Sequence, residues 1–256
     1  MLIFFVFIIG FKMSELSINN VITDDRSCKM NTISETHDKD PVTMTEYIYD
    51  MSNNLIFKKW KRSGNMQRGV HYEYLGKILF YSIIDLQTGC TDTTFYFYDV
   101  RHNLTSTVEH ERNRNGLLTI RKNTFVYNSN DLVTCSVTHE TSSSSTTLID
   151  STQYEYINKN VTTVKELSMA DDNKMHSRTL NILYDTMKNY HKTMGLPPTS
   201  FLFWSENNII QIKNVDIKYS TITINNLKYN ESGYPIEYTQ TTDQQRITVI
   251  ITYQCQ

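Results

Sequence analysis

The chain holds a single alanine, Ala170, and only 8 glycines and 4 prolines in 256 residues. Alanine is the residue a helix accepts at least cost, so its near absence argues against a helical protein. The shortage of glycine excludes the loops that cradle phosphates, and neither Gly-x-x-x-x-Gly-Lys nor Gly-x-Ser-x-Gly occurs. There is no Cys-x-x-Cys pair and no His-Glu-x-x-His, so a zinc site of either common kind is not expected. Charge of one sign is lacking too. With 25 basic against 27 acidic side chains the net charge is -2, which speaks against a nucleic-acid binder.

What the chain does have is 17 Tyr and 11 Phe among many Thr, Ser and Asn. These residues suit a pleated, half-buried surface, and the expected class is all-β. Residues 1–11 open with an unbroken apolar run, Leu2 to Ile9, too short to span a bilayer as a helix but suited to a signal segment. Residues 12–42 carry little periodicity and read as a disordered linker, with the folded domain running from 43 to 256. Export makes disulfides among Cys28, Cys90, Cys135 and Cys255 a further expectation. Lipidation of Cys28 fits poorly, because Asp24, Asp25, Arg26 and Ser27 precede it.

From Thr43 onward the chain repeats. A large apolar residue stands two before a tyrosine at Tyr47/Tyr49, Tyr72/Tyr74, Tyr96/Tyr98, Phe125/Tyr127, Tyr154/Tyr156, Ile182/Tyr184, Leu227/Tyr229 and Ile251/Tyr253. Residues i and i+2 of a strand share a face, so each pair puts two large groups on one side of a sheet. Polar turns rich in Asn and Asp follow, then a second strand, which makes each unit a β-hairpin. The spacing predicts about seven antiparallel hairpin units forming one large twisted, curved sheet. Between Tyr184 and Tyr229 the rhythm breaks, and an insertion at about 186–212 carries Gly195-Leu196-Pro197-Pro198 and Phe201-Leu202-Phe203-Trp204. It is read as a cap that fills the core at one end, with a ligand pocket walled by Phe203 and Trp204 as the sharper alternative.

Tyr49-Asp50, Tyr98-Asp99, Tyr127-Asn128, Tyr184-Asp185 and Tyr229-Asn230, each with a polar turn and a hydrophobic restart, resemble the tyrosine-aspartate repeats of bacterial surface proteins. Leu183 to Tyr190, Phe201 to Ile209 and the closing Ile251-Thr252-Tyr253-Gln254-Cys255 are similar to exported hairpin-repeat envelope proteins and lipoproteins of unknown function common in Bacteroidetes. The resemblance implies an exported location in the periplasm, at the outer-membrane surface or outside the cell. It implies no catalytic residues and no cofactor.

The candidate binding residues are few. Phe57-Lys58-Lys59-Trp60-Lys61-Arg62 surrounds a tryptophan with positive charge, and Lys58, Lys59 and Trp60 are assigned to an anionic ligand, with Phe203 and Trp204 as the second group. No catalytic or metal-ligating set emerges. His110 between Glu109 and Glu111 would need partners from other strands, since neighbours in a strand point to opposite faces. The expected function is therefore an exported, non-catalytic β-repeat protein that binds a glycan or envelope protein, with no nucleic acid as partner. Membrane association is open and a lipid anchor is doubtful. Alternatives are an outer-membrane β-barrel and a hydrolase assembled from distant strands. Polar pairs such as Arg121 with Lys122, or Gln211 with Lys213, speak against a lipid-facing wall.

Overall fold

Alternating large and polar residues fold into strands whose large residues share a face, and such a face must be covered. This chain covers it by closing on itself. The computed structural model describes residues 28–37, 42–86, 90–112, 118–142, 145–169, 174–194, 196, 199–217 and 220–255. The strands of the first half are β1 (Cys28–His37), β2 (Thr43–Tyr49), β3 (Leu55–Arg62), β4 (Asn65–Leu75), β5 (Ile78–Leu86), β6 (Cys90–Tyr98), β7 (Leu104–Arg112) and β8 (Leu118–Tyr127). Those of the second half are β9 (Val133–Ser142), β10 (Ser145–Ile157), β11 (Asn160–Met169), β12 (Met175–Lys188), β13 (Asn207–Asn214), β14 (Thr221–Tyr229), β15 (Pro235–Thr241) and β16 (Arg246–Cys255). Each pairs antiparallel with its neighbour in sequence, and β16 pairs with β1, so the wall is a closed barrel without an edge.

Closure corrects the expected open sheet of about seven hairpin units. The eight apolar-x-Tyr pairs each fall in the last part of an even-numbered strand, and the seven odd strands β3 to β15 return from the turns that follow, which makes fifteen of the sixteen strands. The missing one lay in the stretch read as linker. Cys28–His37 is β1, paired with β16 through Ile33↔Ile251 and Glu35↔Val249, so the linker reading of 12–42 fails for these residues. The proposed signal at 1–11 lies outside the described residues, as do Gly195, Pro197 and Pro198. Cys28 is disulfide-bonded and stands opposite Cys255 at the seam, whereas Cys135 is free.

The repeat has a physical basis at the barrel end where the even strands finish. After five of the eight tyrosines, Tyr49, Tyr98, Tyr127, Tyr184 and Tyr229, an Asp or Asn folds the turn. Asp50 Oδ1 accepts from the amides of Ser52 (2.8 Å) and Asn54 (2.9 Å). Asp99 does the same for Arg101 and Asn103, and Asn128 for Asn130 and Leu132. The residue before the restart takes positive φ: Asn53, His102, Asp131 and Gly233, at 64°, 64°, 56° and 80°. These side-chain turns cost little where Asn, Asp or Gly supplies the left-handed residue. A bulge precedes each of Tyr49, Tyr74, Tyr98, Tyr127, Tyr156, Tyr184 and Tyr229 in the ladder with the next strand. The extra residue stands on the returning strand, Ile56, Phe80, Thr105 and Thr134 in the first four cases, and bends that strand just after the turn.

The tyrosine hydroxyls then tie hairpin to hairpin. Tyr74 donates to the Leu55 carbonyl (3.0 Å), Tyr98 to Leu79 (3.1 Å), Tyr127 to Leu104 (2.8 Å), Tyr156 to Val133 (2.7 Å), Tyr184 to Val161 (2.5 Å) and Tyr253 to Pro235 (2.9 Å). Each acceptor lies at or near the start of the odd strand preceding its tyrosine's strand. The acceptors' own side chains are the core: Leu55, Leu79, Leu104, Val133 and Val161 are all buried. Burying each such side chain contributes about 1.5–3 kcal/mol. The tyrosine pairs therefore fill the interior.

The outer wall is uneven. Ile48, Ile56, Phe80, Phe97, Val126 and Leu183 are exposed on it. Between them stand charge pairs, Glu46 with Lys61 and Lys228 with Glu237. Arg121 and Lys122 point to opposite faces, with Arg121 inside between Glu111 (2.8 Å) and Glu140 (2.9 Å).

Candidate functional site

The insertion grows out of one of the repeat's own turns. Asp185 Oδ1 accepts from the amides of Met187 (2.9 Å) and Asn208 (3.0 Å), while Oδ2 accepts from Asn208 Nδ2 (3.1 Å). Asp50 makes the same three bonds with Ser52 and Asn54. Asn208 thus stands where Asn54 stands, and the extra chain is looped out just ahead of it. The Tyr229 hydroxyl donates to Asp185 Oδ2 at 2.5 Å, in place of the strand carbonyl that six of the other tyrosines use.

The looped-out chain enters the lumen. It forms a 3-10 turn, Tyr190–Met194, and one helical turn, α1 (Phe201–Trp204), with Tyr190, Met194 and Trp204 buried. The ring of Trp204 packs edge-on to Tyr154 (4.6 Å between centroids) and Phe125 (6.1 Å). Polar ties hold both ends. Asn189 Nδ2 donates to the carbonyls of Leu202 and Ser205, and the Tyr190 amide donates to Asn208 Oδ1. Ser205 Oγ accepts from the Val161 amide and donates to the Tyr184 hydroxyl. Asn160 and Asn207 pair with each other through side chain and backbone. These buried polar contacts hold the described part of the segment in one place inside the barrel.

Beside this segment a cavity of about 510 Å³ opens at the tyrosine end. Phe203, Trp204 and Leu196 form one wall, and the ring-tying Tyr98, Tyr127 and Tyr156 form the other. Its rim is polar, with Lys77, His102, Asn103, Asp131 and Lys192. Asp131 is held by Arg101 (2.8 Å) and by Asn103 Nδ2 (3.2 Å), and Lys192 by Glu206 (3.0 Å). A concave site with aromatic walls and a few placed polar groups is the usual form of a small-molecule pocket. Among the described residues no three His, Cys, Asp or Glu side chains are grouped to hold a metal ion.

The five residues singled out in the sequence do not meet. Phe203 and Trp204 line this cavity. Lys58 and Trp60 are inside the barrel toward its other end, opposite Tyr47 and Thr45 on β2. Lys59 points outward, beside the Phe57 ring (5.3 Å). The basic run is thus divided between two faces by the period of the strand, and it does not act as one patch. The cavity's opposite wall comes from turns distant in sequence. Its one visible sign was the Asp or Asn that sets the turns after Tyr98 and Tyr127.

No family model matches the chain, and no curated protein matches it by sequence. Solved structures do match. A porin-like protein from Bacteroides uniformis superposes with a TM-score of 0.61 at 12% identity, covering 91% of this chain and 99% of that one. The fold is porin-like. A second porin-like protein, from Bacteroides vulgatus, gives a TM-score of 0.58 at 9% identity over 88% of this chain and 98% of that one. The agreement extends over nearly the whole of both porin-like chains, so the barrel with its inward segment is built on a full-length wall of that shape.

Proposed function

We propose that this chain is an exported envelope barrel of the outer-membrane type, stoppered by its own 188–207 segment, which holds a small ligand at the stoppered mouth and does not conduct. The observation that carries this reading is the closed sixteen-strand wall with the insertion packed inside it. Closure satisfies every ladder without leaving an edge, which is the condition a β-structure must meet in hydrocarbon. The outward Ile48, Ile56, Phe80, Phe97 and Val126 supply apolar surface on one arc, and the porin-like shape of the two Bacteroides proteins supports the same placement. The cavity's aromatic walls and polar rim suit a sugar ring, whose faces are apolar and whose edges carry hydroxyls.

The test is electrical. In planar bilayers the full chain is expected to insert without current steps, and a variant with residues 189–206 replaced by a short Gly-Ser link is expected to give them. Current steps from the full chain would refute the stopper. Absence of insertion by either protein would refute membrane placement.

A second reading, a barrel standing in water at the envelope surface, is favoured by the outward pairs Glu46 with Lys61 and Lys228 with Glu237. A lysine facing lipid at the bilayer midplane costs about 2–4 kcal/mol. Release of the exported chain by osmotic shock without detergent selects this reading, and a need for detergent rejects it.

A further inference from the structure

Inside the barrel, toward the end away from the stopper, cations meet carboxylates wherever the ladder offers them. Arg121 sits among Glu109, Glu111 and Glu140, and Arg178 binds Glu166. Lys58 and Arg68 break this pattern. By register both face inward, Lys58 beside Tyr47 and Val70, and Arg68 beside Trp60. Lys58 Nζ lies 4.3 Å from the centre of the Trp60 ring and 5.6 Å from that of Tyr47, and the Arg68 guanidinium carbon lies 4.3 Å from the Trp60 ring. Among the described residues neither makes an ion pair or a hydrogen bond. Glu35 on β1 is, among the described residues, the one carboxylate whose field reaches Lys58; it forms no ion pair with it and accepts from Thr43 Oγ1 at 3.2 Å, so a single carboxylate faces two cations.

Two like charges drawn onto one indole inside a barrel repel each other and forgo part of their hydration. The aromatic face returns only about 0.5–2 kcal/mol for each. An anion between them removes the repulsion and supplies the acceptors that five guanidinium and three ammonium protons lack. We propose that Lys58, Arg68 and Trp60 form an oxyanion-binding site in the lumen, separate from the mouth cavity, that takes a carboxylate or phosphate group. Arg68 meets two of its oxygens side by side, Lys58 acts as the point charge, and Trp60 lies under any flat or apolar part of the ligand. This rests on the strand register and the ring contacts, so it holds whether the barrel stands in lipid or in water.

The chain contains two tryptophans, Trp60 and Trp204, which makes the test direct. The indole N–H signals of the full chain are followed by NMR during titration with inorganic phosphate, and separately with galacturonate. The Trp60 signal is expected to move on saturation while that of Trp204 stays. The effect weakens as sodium chloride is raised, because the attraction is ionic. Lys58→Met and Arg68→Gln each weaken binding about tenfold or more, the loss of one charged hydrogen-bonding partner, and the double variant abolishes the shift. An unchanged Trp204 signal shows that each variant is folded. Response to phosphate alone assigns a phosphate ligand, response to galacturonate alone an acidic sugar, and response to both an oxyanion site of broad choice. No movement of Trp60 with either probe, or equal movement in the folded double variant, overturns the proposal.

Discussion

Replacing Asp185 by alanine is expected to unfasten the stopper and to cost far more than the same change at any other turn of the repeat. Asp185 is buried, at 7% exposure, and accepts four hydrogen bonds, from Met187 N, Asn208 N, Asn208 Nδ2 and the Tyr229 hydroxyl. Alanine removes all four and leaves the Tyr229 hydroxyl and the Asn208 side-chain amide without their acceptor. With about 1 kcal/mol net for each ordinary bond and more for a donor left buried, the loss is on the order of 4 kcal/mol. For a barrel of this size, unfolding about 3 kcal/mol per molar urea, the midpoint falls by roughly 1.3 M. Asp185→Asn keeps an oxygen for the two backbone amides, as Asn128 does naturally, and loses less. Asp50→Ala, at an exposed turn, also loses less. Urea titration followed by tryptophan fluorescence reads all three, because Trp204 sits in the stopper. A midpoint for Asp185→Ala equal to that of the parent, or no lower than that of Asp50→Ala, would refute the view that one turn both continues the repeat and anchors the insertion.

Other consequences can be checked on the same material. Tyr127→Phe and Tyr156→Phe each delete one strand-to-strand tie and should lower stability by about 0.5–1.5 kcal/mol in urea, whereas Tyr81→Phe, at an outward ring, should not. Cys28→Ser removes the disulfide cysteine at the seam and should cost about 2–5 kcal/mol, with no further loss on adding reductant. Backbone and side-chain donors of Asn54 and Ser52, and of Asn103 and Arg101, hold the Asp50 and Asp99 carboxyls below the usual carboxylate range. A depressed pKa contributes stability that is present above the ordinary value and lost as pH falls through the folded one. Melting temperature should therefore drop on acidification below about pH 4, and less so in Asp50→Asn with Asp99→Asn, which keep the turn oxygen without a titrating group.

How much of this was legible follows from what a sequence can carry. The apolar-x-Tyr pairs announced eight strands because residues two apart must share a face. Return strands such as β7 and β9 were quiet, since each begins with one buried aliphatic, Leu104 or Val133, and continues mostly with polar residues on both sides. β1 was hidden for the same reason. Met30 and Ile33 face the core, but Glu35 and His37 also point inward, toward the charged part of the lumen, so the stretch lacks an apolar alternation. The large residues Phe203 and Trp204 marked the stopper. Asp185 and Asn208 gave no sign that they complete one turn, because their pairing is set only when the insertion folds back. Lys58 and Lys59 looked like neighbours in one patch, and the strand period put them on opposite faces.

The claim on which the rest depends is that the wall closes through β1 around a fixed stopper, and hydrogen exchange of the full chain tests it most directly. The amides of Ile33 and Glu35 in β1 and of Tyr190 in the stopper are predicted to exchange as slowly as those of β9 and β10 in the middle of the wall. Exchange of the β1 amides at the rate of unstructured chain, with the other strands protected, would mean an open sheet and would contradict the account.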